Sequence, residues 1–274
     1  MDNNHRTRLV NHLLLILGSV TMLFPFVWMV LTSLKTLPET TAMPPPLFPA
    51  VPQWGNYARI FRIIDFGQLY INTIVSTAFI TVGQVLICSL AAYAFARLLF
   101  PFKNALFILV LSVLMVPGQV FIVPQYVIIQ NMRLLDSIPA LIIPNLFSAF
   151  GTFLLRQFFL TLPIELEEAA RLDGCSRVGT LFRIVMPLSV PGMVSLGIFA
   201  ILYGWNSLLW PLIVNTSWSK MTLTAGLSTF RGQYFTDYPL LMTGAFLAVI
   251  PLIILYLIFQ KRFIEGIALT GTKG

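Results

Sequence analysis

The chain predicts an all-α integral membrane protein with six spanning helices, on three observations. Of its 274 residues, 57% are hydrophobic and only 10% charged, with a mean hydropathy of +0.86. A soluble domain of this length cannot keep so much apolar surface away from water. The apolar residues fall into six runs of about 20, the length that a hydrocarbon core of about 30 Å asks of a helix. The charges gather at the ends of these runs rather than within them.

The runs place spans at 13–34, 70–96, 105–127, 138–159, 187–205 and 240–259, within a single transmembrane domain, 1–274. The first run, 22 residues long, exceeds a signal-peptide core and is followed by no clear small-residue cleavage site, so it reads as a retained helix. Segment 35–68 is the longest loop. Pro44, Pro45, Pro46, Pro49 and Pro52 favour extended polyproline backbone there. Trp54, Tyr57, Phe61 and Phe66 suit either an interfacial helix or a plain aromatic belt. With the N-terminus inside, eleven of the 17 Lys and Arg residues fall inside and six outside. That asymmetry puts both termini in the cytoplasm.

Breakers mark the later spans. Pro117 and Pro124 fall in the third, Pro144 and Gly151 in the fourth, Pro191 and Gly192 in the fifth. Proline at membrane depth frees backbone groups that neighbours or a wet cavity must satisfy. Each taken alone reads as a kink, and together they suit a bundle that moves.

Several function classes are excluded. The Lys and Arg residues are scattered and make no nucleic-acid face, despite a net charge of +7. Cys88 and Cys175 have no metal or disulfide spacing, and His5 and His12 have no acidic or Cys partner, so no metal site is expected. No Asp, Glu, Lys or Arg lies in the middle of a span, where an ion-coupled carrier keeps one. Gly266 to Gly271 approaches a phosphate loop, but Thr272-Lys273 reverses the required order and no helix follows. No nucleophile elbow occurs, and no catalytic residue is assigned. If the protein moves a solute uphill, a partner supplies the energy.

Segment 163–183 is charged where only a short loop is needed. Pro163 suits a first helical turn, and Glu165, Glu167 and Glu168 complement the positive helix end. Gly174 suits a left-handed stop, and Ser176 suits the cap of a second helix. Glu165, Ala169 and Leu172 share one face, with Glu168 beside them. Small alanines admit a close backbone, and a carboxylate offers an Arg a charge-assisted bond. On periodicity alone, a solvated connecting turn is the favoured reading.

Glu168-Ala169-Ala170, three residues, Gly174, nine residues, then Ile184-x-Met186-Pro187 resembles the EAA loop of ABC importer permeases. Met186 stands where that family usually has Leu, a swap of similar volume. Tyr93-Ala-Phe-Ala-Arg97, Val116-Pro117, Val123-Pro124-Gln125-Tyr126, Leu155-Arg156-Gln157-Phe158-Phe159, Trp205-Asn206 and the tail from Gln260 to Gly274 are similar to the second permease of maltose-type sugar importers. The resemblance implies the type I ABC permease fold, with a coupling helix between spans four and five. It implies an ATPase-docking set of Glu168, Ala169, Ala170, Leu172, Asp173, Gly174, Ile184 and Pro187, with a weaker contact at Lys273. It also implies a second, different permease, two cytoplasmic ATPase subunits that bind ATP-Mg, and an extracytoplasmic solute-binding protein. This chain itself would carry no cofactor.

Sugars need planar amides and aromatic faces. Gln84, Asn145, Ser148, Tyr203, Trp205 and Asn206 are the candidates at membrane depth, each also readable as an inter-helix hydrogen bond. The reading is a sugar-importer permease in the inner membrane. A glycerol-phosphate or other polar-solute permease is the near alternative, with an ion-coupled carrier and a membrane enzyme more remote.

Overall fold

Backbone polar groups in an apolar medium have to be satisfied within their own segment. The computed structural model describes residues 2–232 and 236–271, and these form helices with no strand beyond one isolated bridge, Arg231 to Thr236. In chain order the helices are α1 (Asp2–Ser33), α2 (Leu37–Thr41), α3 (Gly55–Ile63), α4 (Phe66–Arg97), α5 (Lys103–Ser112), α6 (Ile122–Asn131), α7 (Ile138–Ile142) and α8 (Ala149–Thr161). There follow α9 (Glu165–Leu172), α10 (Arg177–Thr180), α11 (Met186–Leu188), α12 (Val190–Asn206), α13 (Leu209–Val214), α14 (Leu223–Ser228) and α15 (Tyr238–Gly271).

Three stretches, Val10–Ser33, Phe66–Arg97 and Tyr238–Gln260, are each long and apolar enough to cross a membrane. The other expected spans are broken. Lys103–Met115 meets Gly118–Asn131 at 101°, Ile138–Asn145 meets Ala149–Thr161 at 47°, and Arg177–Leu188 meets Val190–Asn206 at 82°. The count is therefore three spans, or up to six if each bent pair crosses once. The breaks have local causes. Val116 precedes Pro117 and is extended, at φ −97° and ψ 126°, as the proline ring requires of its neighbour. Pro144 ends the second pair's first limb, and Ser148 starts α8 by accepting the Gly151 N–H at 3.0 Å. Pro191 and Gly192 sit in the first turn of α12, where proline is tolerated. Pro187, the expected start of the fifth span, lies in α11 before the corner, and α12 begins at Val190.

The chain divides into two units. The first contains residues up to Gly67 and Gly226–Ile253. Its loop is folded tightly onto the end of α1. Fully buried Lys35 donates to the Pro46 carbonyl at 2.5 Å and lies 4.3 Å over the Trp28 ring. Burial lowers the Lys35 pKa. Asn56 donates to the carbonyls of Ser33 and Lys35 at 2.8 and 3.1 Å. Trp54 and Phe61 are exposed, whereas Phe66 is buried at 2% exposure against Phe61.

The second unit, Gln68–Ala225 with the end of α15, holds an apolar core. Cys88, Ala92, Tyr93, Leu154, Leu155, Phe159, Leu181, Val185 and Leu196 knit α4, α8, α12 and the turns before α12 together. Glycine makes this contact possible. A Cβ on Gly192 would lie 2.6 Å from the Phe158 ring, and one on Gly151 would lie 2.7 Å from Leu196.

Asp136, at φ 56°, ties the α6–α7 turn to the segment after α13. It accepts the N–H groups of Thr216 and Ser217 at 2.9 and 2.8 Å, and also the Ser217 hydroxyl. These bonds, the Ser217 hydroxyl first, hold its pKa below the ordinary value. A depressed folded pKa means that this stabilisation is full above the ordinary carboxylate pKa of about 4 and fades as pH falls through the folded value. The thermal midpoint of the wild type should therefore drop on acidification below about pH 4, and Asp136→Asn should flatten that part of the profile.

Candidate functional site

The charged segment folds as a helix, a turn and a second helix. Ile164 caps α9, and Pro163 stands one residue outside it rather than in its first turn. At the other end Cys175 N–H bonds to the Ala170 carbonyl at 2.9 Å and Gly174 N–H to the Arg171 carbonyl at 3.0 Å. This is a Schellman stop, and Gly174 holds its left-handed position at φ 82°. The Ser176 hydroxyl then accepts the Gly179 N–H at 3.1 Å and starts α10. Leu181–Val185 continues as one π-helical turn. Pro187, which has no N–H to return to the preceding turn, follows after Met186.

The two faces of α9 differ. Glu165, Glu168, Ala169, Leu172, Asp173 and Gly174 are exposed, with Leu172 at 90%. Of the remaining expected docking residues, Ile184 is half-buried and Pro187 exposed, while Lys273 lies outside the described residues. Ala170 departs from the expectation, being buried at 7% exposure. It lies three residues from Glu167, so the two share the inward face of α9.

Glu167, expected from the sequence only to complement the positive helix end, has a further role. It is 1% exposed, and its carboxylate lies 2.6 Å from Arg97 Nε. That contact is close in charge but not aligned as a hydrogen bond. The Tyr93 hydroxyl donates to the other carboxylate oxygen at 3.2 Å. Arg97 also donates from Nη2 to the Leu162 carbonyl at 2.7 Å, just past α8. Tyr93 and Arg97 are four apart and so lie on one face of α4. Two more cations gather at the end of α4: Lys103 donates to the Leu98 carbonyl at 3.0 Å, and Arg156 to the Phe95 carbonyl at 3.1 Å. Cations at a helix C-terminus complement its partial negative charge. The available signal was the pairing of Tyr93-x-x-x-Arg97 with a carboxylate on the inner stripe of α9, which no local pattern connects.

The expected substrate-path residues are not gathered into one site. Gln84 donates to the Asn145 carbonyl at 2.8 Å, bridging α4 to the α7–α8 break. Asn145 donates to Leu141, and Ser148 caps α8. Asn145 and Tyr203 line one small cavity with Ser76, Thr222 and Trp210. Trp205 packs edge-on against Tyr70, and exposed Asn206 bonds within α12. Most of these amides therefore serve helix packing.

Residues 84–268 match the family described as binding-protein-dependent transport system inner membrane component. The chain belongs to that family. It is thus a permease subunit of an ABC importer, resident in the inner membrane and not itself a catalyst. This permease is 36% identical to the arabinooligosaccharides transport system permease protein AraQ of Bacillus subtilis, over 93% of this chain and 92% of that one. It is 34% identical to the sulfoquinovosyl glycerol transport system permease protein SmoH of Agrobacterium fabrum, over 93% and 90%. It is also 34% identical to the sn-glycerol-3-phosphate transport system permease protein UgpE of Pectobacterium atrosepticum, over 97% and 98%. Its fold matches a chain of a bacterial ABC transporter involved in importing the acidic polysaccharide alginate, with a TM-score of 0.81 at 20% identity over 96% and 98% of the two chains.

The two glutamates should answer oppositely to truncation. Glu167→Ala strands a buried Arg97 and should cost about 3–5 kcal/mol. Glu168→Ala removes an exposed group and should stay within about 0.5 kcal/mol. Thermal unfolding of the purified permease in detergent measures both, and equal costs would contradict the assignment of faces.

Proposed function

We propose that the chain is one of two unlike permease subunits of an ATP-driven sugar importer. It has the type I ABC arrangement of six spans, both ends in the cytoplasm, and α9 as the coupling helix between spans four and five. The observation that carries this reading is the outward presentation of Glu168, Ala169 and Leu172 on a helix whose inner face is held by Arg97. A flat patch of small side chain, carboxylate and exposed leucine suits a cleft on an ATPase subunit. An Arg in that cleft would pair with Glu168.

In this assembly an extracytoplasmic binding protein delivers the solute and two cytoplasmic ATPases bind ATP-Mg. Their closure moves the docked helices, and the permease pair alternates between inward and outward openings. The breaks at Pro117, Pro144 and Ser189 are the places where short rigid limbs turn against one another. The C-terminal tail with Lys273 provides a second, weaker ATPase contact.

A sugar is the favoured solute. Two of the similar permeases are named for arabinooligosaccharides and sulfoquinovosyl glycerol. Glycerol-phosphate is the second reading, favoured by the similarity to a permease named for it. Basic residues for the phosphate would then come from the other permease.

Glu168→Lys places a cation before the ATPase cleft and forfeits a charge-assisted bond of about 1.5–3 kcal/mol. Co-expressed with its partner subunits, this variant should insert normally and retain at least about tenfold less ATPase on purification. Wild-type retention would contradict the docking role.

A further inference from the structure

The connection from α8 to α9 is only residues 162–164, and Arg97 grips both sides of it. Its Nη2 takes the Leu162 carbonyl, where α8 has just ended, and its Nε faces the Glu167 carboxylate one turn into α9. The Arg97 side chain is 8% exposed and that of Glu167 is 2% exposed. Among the described residues no other Lys or Arg forms an ion pair with Glu167, and the remaining carboxylate oxygen is taken by Tyr93. The opposite end of α9 is built differently. There the chain passes through a glycine stop, a four-residue helix, a π-turn and an 82° corner. At that corner the Ser189 hydroxyl is buried without a partner.

We infer that Tyr93, Arg97 and Glu167 form a latch that makes α9 one rigid body with the ends of α4 and α8, so that a push on α9 is delivered to α4 and the yielding occurs on the α10–α12 side. These are positioning residues, and they touch neither solute nor nucleotide. The inference rests on α9 being the docking helix. The physical reason is the cost of opening. Separating the pair leaves two charges in a water-poor pocket, whereas the π-turn and corner rearrange backbone bonds that already have alternative partners. Arginine is required because one planar fork reaches two acceptors in fixed directions, which a single lysine ammonium does not do.

The test uses the full chain assembled with its partner subunits. Nitroxide labels are placed through Leu90→Cys on α4 and Leu166→Cys on α9, both exposed positions, with Cys175→Ser and with the fully buried Cys88 retained. The distance is measured without nucleotide and after trapping with ATP, Mg²⁺ and vanadate. The latch predicts one narrow distance, the same in both states. With Arg97→Lys, which keeps the charge, it predicts a second, longer population once ATP and vanadate are added. A wild-type distance that shifts on trapping overturns the latch, and so does an Arg97→Lys distance that stays single. If Arg97→Lys fails to accumulate, Tyr93→Phe decides, with a broadened distribution on trapping expected and an unchanged one overturning the inference. Failure of the docking reading shows separately, as ATPase retained by Glu168→Lys at wild-type levels.

Discussion

A carboxylate at 1% exposure in an apolar protein is tolerated only with its charge answered, and the contact between Glu167 and Arg97 is that answer. The pair adds little to stability compared with well-packed hydrocarbon of equal volume. Its effect is to specify geometry. It sets the rotation of α9 about its own axis, because Glu167 has to face α4. Once that rotation is fixed, Ala170 follows inward and Glu168, Ala169 and Leu172 are left outward. The face offered to a partner is thus determined by a contact on the opposite side of the helix.

Backbone accounting explains the remainder of the segment. A helix of eight residues is too short to be stable by propensity alone. Its ends are closed by the Gly174 stop and the Leu162–Ile164 entry, and its inner face by the anchor. Beyond it, Ser176, the π-turn and Pro187 carry the chain into an 82° corner. Gly192 and Gly151 then let α12 lie directly on Phe158 and α8. Core residues Leu181 and Val185 tie the corner to the same cluster that holds Tyr93.

The apolar runs were legible in the sequence because about 20 apolar residues leave few alternatives to a membrane helix. So were the Gly174 stop and the Ser176 cap, which are local chemistry. The prolines marked where the third and fifth runs break, but the sizes of the bends, 101° and 82°, were not legible, since hydropathy averages composition and does not register which backbone bond a proline removes. Ala170 was misplaced because a linear motif groups Glu-Ala-Ala as a unit, whereas a helix sends its third member to a different face. The pairing of Glu167 was missed because its partner Tyr93 lies 74 residues away along the chain. Gln84 and Asn145 face each other across 61 residues, and only the folded chain shows that they bind each other.

The most direct measurement is site-specific photocrosslinking in the assembled transporter, with a photoreactive side chain placed in turn at Ala169, Leu172 and Leu181. Positions 169 and 172 should give an adduct with the ATPase subunit, while position 181, 1% exposed and inside the core, should give none. Adducts of equal yield from all three positions, or none from 169 and 172, would contradict an α9 whose outer face is fixed by Arg97.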